Sequence, residues 1–364
     1  MQGNDAPQIL GFDATTRRLI QRLNPVTFTP STPVSIDIPQ VGFAAGLILR
    51  FSGTTTTAGG GLATIRPYPS GAHAIANRVR VTTSEGNDVY NTTGQGLYLV
   101  NRHLRTAFDP FTHSPSQSIA GVPDAQTAWW NTPGTLAASQ VQNWIGTYYL
   151  PLSWTMANLQ GLLLTQNLGA QFTLTIDWGD LPQLYSATTG ATLSAVLCRP
   201  TLVFFALPDD EINYPDLRFI HSWIERRRPL DSSEFAYRPK LGNVFLRSVQ
   251  EFINPVAGQD LPVAPASLLE RRYRFAQTQN VEVIHSADQM FLNRMNYALD
   301  LPPGVLTWEW QMGNGILEQG NTRDAVDTSL ITDMSLETVI DTGVTINSGA
   351  YVRCIDEQLQ ETDG

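Results

Sequence analysis

The chain has 364 residues, of which 42% are hydrophobic and 15% charged, with a formal net charge of −10. That balance excludes a long disordered chain, which needs much charge and little apolar content, and a general nucleic-acid binder, which needs a basic face for phosphates. The 28 glycines and 23 prolines suit many short strands joined by turns, and the length suits two domains or one large one.

Met1 to Pro7 lack the basic and apolar segments of a secretory signal, and the longest apolar stretch, Val41 to Leu49, is too short to cross a bilayer. Residues 1–23 read as a separate arm, with Asp13 capping a helix that carries Leu19 and Leu23 on one face and Arg18 and Arg22 on another. Such an arm either packs on its own domain or touches a neighbour or an anionic surface. From Asn24 the pattern is β. Strands are predicted over Val34–Ile38, Gly46–Phe51, ending in a Ser/Gly/Thr turn run at 52–61, and Arg78–Thr82. Leu97 to Leu104 has helical spacing. Residues 109–140 form a long Pro/Ser/Ala/Gly excursion carrying Trp129 and Trp130, which suits a subunit interface or a sugar platform. Strands resume at Gly146–Leu152, Gln171–Trp178 and Thr201–Ala206, and Pro208-Asp209-Asp210-Glu211 marks a domain boundary.

The second half repeats the first in outline. Val281–Ile284 is a predicted strand, Met290–Tyr297 a helix, and Gly304–Trp310 an aromatic strand. Each helix carries an Asn-Arg pair, Asn101-Arg102 and Asn293-Arg294. Leu217–Arg228 fits both periods, and no strand is placed between 229 and 270. The acidity concentrates at 318–364, with ten acids against two arginines. Strands, a turn, one helix and strands again, twice over, give an all-β chain: two tandem eight-stranded sandwiches, each interrupted by a short helix, after an N-terminal helical arm. The domains are 1–23, 24–208 and 209–364.

Chemistry is sparse. His73, His103, His113, His221 and His285 are scattered, and Cys198 and Cys354 lack the close spacing of a zinc site and read as buried thiols. Asp177-Trp178-Gly179-Asp180 and Asp209-Asp210-Glu211 sit at strand ends, where turn carboxylates are commonplace. Arg226-Arg227-Arg228 and Arg271-Arg272-x-Arg274 are expected to pair with carboxylates between subunits. No catalytic residue, cofactor or metal ligand is assigned.

Several segments resemble the double jelly-roll major capsid proteins of tailless, internal-membrane phages of the tectivirus type. They are Val26–Pro30 leading to the Gly46–Phe51 strand, Asn77-Arg78-Val79, the helix with Val100-Asn101, Thr132–Ala138 running on to Thr147–Leu152, Asn158–Gly161, and Asp300–Val305. The resemblance implies a homotrimeric, pseudo-hexagonal capsomer in the shell of an icosahedral virion, meeting neighbouring trimers, an internal membrane and minor or vertex proteins, without direct nucleic-acid binding. It also puts the N-terminal arm, with Arg17, Arg18 and Arg22, on the inner side. The alternative is a carbohydrate-binding or glycoside-cleaving β-sandwich protein using Trp129, Trp130 and the carboxylates at 177–180.

Overall fold

The computed structural model describes residues 12–59, 71–104, 130–131, 135–154, 161–166, 169, 171–185, 190–215, 217–256, 260–275, 281–297, 301–309, 325–329, 331 and 333–361. In the first half, helix α1 (Phe12–Thr15) precedes strands β1 (Arg18–Arg22), β2 (Val26–Thr27), β3 (Pro33–Ile38), β4 (Phe43–Thr57), β5 (Ala76–Thr83) and β6 (Asp88–Thr92). Helix α2 (Gly94–Leu104) follows, then β7 (Trp130–Asn131), β8 (Val141–Pro151), β9 (Leu163–Leu164), β10 (Phe172–Trp178), the short helix α3 (Leu181–Leu184) and β11 (Ala191–Phe205). The second half comprises β12 (Phe219–Pro229), β13 (Glu234–Tyr237), β14 (Val244–Ile253), β15 (Leu268–Phe275) and β16 (Val281–His285). After helix α4 (Ser286–Tyr297) come β17 (Val305–Glu309), β18 (Val326–Asp327), β19 (Met334–Ile340) and β20 (Tyr351–Glu361).

Each half is a sandwich, and the strand orders correspond. In the first, β1-β11-β4-β8 faces β3-β10-β5-β6; in the second, β12-β20-β14-β17 faces β13-β19-β15-β16. The correspondence reaches single residues. Ala45 is skipped in the β4–β11 register and Leu246 in the β14–β20 register, so the same bulge sits near the start of the same strand in both halves. The halves are joined by more than their linker. β6 pairs with β12 in parallel, Tyr90 opposite Trp223 and Asn91 opposite Ile224, which fuses β3-β10-β5-β6 and β12-β20-β14-β17 into one sheet. The inner face of the first sandwich therefore runs on as the outer face of the second. Trp223, Val249, Val305 and Ile355 consequently share a core with Tyr90, Leu97 and Trp178.

The predicted helices are present at α2 and α4, and the predicted strands appear at β3, β5, β8, β10, β16 and β17. The ambiguous Leu217–Arg228 segment is strand β12, and β13 and β14 fill the stretch after 229. Two expectations change. The Ser/Gly/Thr run after Phe51 continues β4 to Thr57, because its threonines suit a pleated strand. The helix expected to reach Leu23 stops at Thr15, and Arg18–Arg22 is instead a strand pairing antiparallel with Thr201–Phe205. This segment is tied to its own half, since the Phe12 ring meets Phe43 and Phe205 edge-on at 5.4 and 5.6 Å.

Candidate functional site

The densest cluster of ionisable side chains lies where the halves meet. α2 begins after Thr93, whose Oγ1 accepts the Gly96 N–H at 3.0 Å, an N-cap. Glu225 on β12 reaches that helix end. Its carboxylate accepts the Thr93 N–H at 2.6 Å, the Thr93 hydroxyl at 2.9 Å and Arg353 Nε at 2.8 Å. A negative group at a helix N-terminus also opposes the helix dipole favourably. The approach is close enough that a methyl group at Gly96 would overlap the carboxylate. Arg353 Nη1 pairs with Glu251, which also accepts Gln95 Nε2 at 2.8 Å. Further along the same sheet face, Arg247 pairs with Glu357 and, at 3.5 Å, with Glu309, and His221 Nε2 meets Glu357 at 2.7 Å. All seven of these Glu, Arg and His side chains are buried. Removing one partner of such a pair strands the other, which is why buried networks fix a geometry even where they add little net stability.

The first half extends this chain of polar contacts. Gln95 Oε1 accepts from His73 Nε2 at 3.1 Å, which leaves Nδ1 to accept the Tyr148 hydroxyl at 2.7 Å. The neutral ring stacks on Tyr98 at 4.7 Å, and burial pushes its pKa down to about 3. On the opposite face of the shared sheet, Asp356 accepts from Tyr237, from Ser248 at 2.8 Å and from Arg226 at 2.9 Å. Burial nonetheless raises the Asp356 pKa, with those three partners opposing it. At one end of the seam a cleft of about 800 Å³ opens between the halves, bordered by Gln95, Arg102, Arg227, Glu251, Tyr351 and Arg353.

The residues singled out from sequence fare differently. Arg17, Arg18 and Arg22 are exposed, the last two on edge strand β1. Trp129 lies outside the described residues, and Trp130 enters as backbone only, β7 placing it opposite Gly146. Asp180 caps α3, accepting the Leu181 N–H at 2.7 Å, while Asp177 sits in β10 opposite Pro33 and Arg78. Among the described residues no group of three His, Cys, Asp or Glu is placed to hold a metal. Both cysteines are buried, and burial raises both thiol pKa values.

Three arginines of the two runs find carboxylates within their own chain. Arg226 pairs with Asp356 at 2.9 Å, Arg272 with Glu270 at 2.6 Å and Arg274 with Glu337 at 3.5 Å. Arg271 is fully buried above the Trp308 ring, donating to Gln289 and Gln250, and burial lowers its pKa to about 9. Sequence reasoning missed Glu225, Glu251, Arg353 and Glu357. The only available signal was charge inside runs that pair as strands, and part of the acidity of 318–364 proves to be buried in β20.

No protein-family model matches the sequence, and no curated protein matches it either. Solved structures do. The major capsid protein of Sulfolobus turreted icosahedral virus superposes with a TM-score of 0.69 at 13% identity, over 95% of this chain and 97% of that one. The Faustovirus major capsid protein gives 0.62 at 9% identity, over 99% of this chain and 92% of its own. The major capsid protein of bacteriophage PM2 gives 0.54 at 12% identity, over 95% and 98%. The fold is a double jelly roll. The match spans both sandwiches in each case.

Proposed function

We propose that this chain is a non-enzymatic structural protein, the major capsid subunit of an icosahedral virus. It assembles as a homotrimer whose six sandwiches make a pseudo-hexagonal tile, and the tiles enclose an internal membrane. The observation that carries the reading is end-to-end similarity of fold, across both sandwiches, to major capsid proteins of three different viruses. The seam supports it, because its charged groups are spent on ion pairs within the second sandwich, two of whose carboxylates, Glu225 and Glu251, reach across to Thr93 and Gln95 of the first. Arg17, just before β1, and Arg18, its first residue, are exposed and carry the membrane-facing part of the reading, each contributing on the order of 1 kcal/mol near an anionic surface.

Negative-stain microscopy of the purified protein tests this. Hexagonal outlines with the mass of three 40.1 kDa chains are expected. A folded monomer with a saturable hydrolytic activity that Asp177→Asn abolishes would refute it.

A further inference from the structure

The two halves correspond closely enough for each to serve as a template for the other. Counting from the shared bulge at Ala45 and Leu246, β1 is the counterpart of β12: Ile20 opposes Val203 as Trp223 opposes Glu357. Gln21 then answers to Ile224 and Arg22 to Glu225. Counting from the two Asn-Arg pairs, β16 and α4 are the counterparts of β6 and α2. Val283 answers to Asn91, Asp288 to Gly96 and Phe291 to Leu99.

Within the chain, β6 and β12 pair and close the junction. Their counterparts do not meet. Among the described residues β16 pairs only with β15 and β1 only with β11, which leaves both as open edges. The side chains register the difference. Trp223 and Leu99 are fully buried, whereas Ile20 is 63% exposed and Phe291 65% exposed. Val283 is 55% exposed where Asn91 is 8% exposed. Open edges with apolar side chains are liabilities unless another chain covers them.

We infer that a second copy of this chain is the cover, β16 of one copy running parallel to β1 of the next and repeating between copies the β6–β12 junction. Charge supports the match. Inside the chain the Glu225 carboxylate lies against Gly96, where a Cβ would collide. At the corresponding place between copies, Arg22 faces Asp288, both exposed and opposite in sign. The contact is head-to-tail, the kind that makes a ring when its rotation closes. The inference rests on the homotrimer proposed above and names the strands that build it.

The test is a Gln21→Cys/Val283→Cys double variant, the positions that answer to the Ile224–Asn91 pair. Mild oxidation of the assembled protein should give covalent trimers on a non-reducing gel, while each single variant runs as monomer. The native cysteines are buried and do not compete. Independently, Arg22→Asp or Asp288→Arg should raise the concentration at which the assembly dissociates by about tenfold, and combining them should restore it. A trimer of normal native mass that neither cross-links nor responds to either charge change would overturn the junction and leave the trimer standing. A chain that stays monomeric at every concentration would overturn the trimer, and this inference with it.

Discussion

The β6–β12 junction and the β16 and β1 edges occupy the same place in two copies of one sandwich. In the first half that flank is sealed: Trp223 and Leu99 are buried, and Glu225 satisfies the α2 N-terminus. In the second half it stands open, with Phe291 and Val283 in solvent. What differs is only whether another sandwich lies alongside. An exposed apolar residue is ordinary by itself, but one at a position the same fold buries elsewhere marks a surface meant to be covered.

Paired substitutions at counterpart positions sharpen the contrast. Trp223→Ala should cost about 3–5 kcal/mol of stability in denaturant unfolding, because it empties a closed core. Ile20→Ala should cost the monomer less than about 0.5 kcal/mol, as exposed positions do. Equal losses would break the comparison. Glu225→Ala comes next, at about 3 kcal/mol, since it leaves Arg353 and the Thr93 N–H buried without this acceptor. Its counterpart Arg22→Ala should leave the monomer's unfolding midpoint unchanged.

A smaller effect is read against pH. His73 titrates near 6.5 when unfolded and at about 3 when folded, so the unfolded chain binds the extra proton between those values. Its contribution is fully present above pH 6.5 and is lost as pH falls toward 3, with a slope of at most about 1.4 kcal/mol per pH unit. His73→Gln should flatten that part of the acid limb, measured by urea midpoints across the range. Smallest is the behaviour of the thiols. Cys198 and Cys354 should react with a thiol reagent at pH 8 only as fast as the chain opens, equally in both halves, because burial disfavours both thiolates.

How legible these features were follows from periodicity. β3, β5 and β10 alternate because one face is buried and the other is not, and α2 shows its apolar spacing for the same reason. β1 shows no such alternation. All five of its residues are exposed in the isolated chain, so Leu19 and Leu23, four apart, imitate a helix face. The seam was hidden differently. Glu225, Arg353 and Glu357 lie in strands, where a charge ordinarily signals the solvent face. Only the parallel pairing of β12 with β6 turns that face inward. The repeat of halves was visible in the order of elements and in the Asn-Arg pairs, but the shared bulge that fixes residue-level equivalence was not.

Amide hydrogen exchange, followed on the same protein above and below its assembly concentration, tests the central claim most directly. The account predicts that amides of Tyr90–Thr92 and Trp223–Glu225 are protected in both states. The outward-facing amides of Arg18–Arg22 and Val281–His285, those that do not bond to β11 and β15, should gain protection only on assembly. An assembled particle in which β1 and β16 exchange as fast as in the monomer would contradict it.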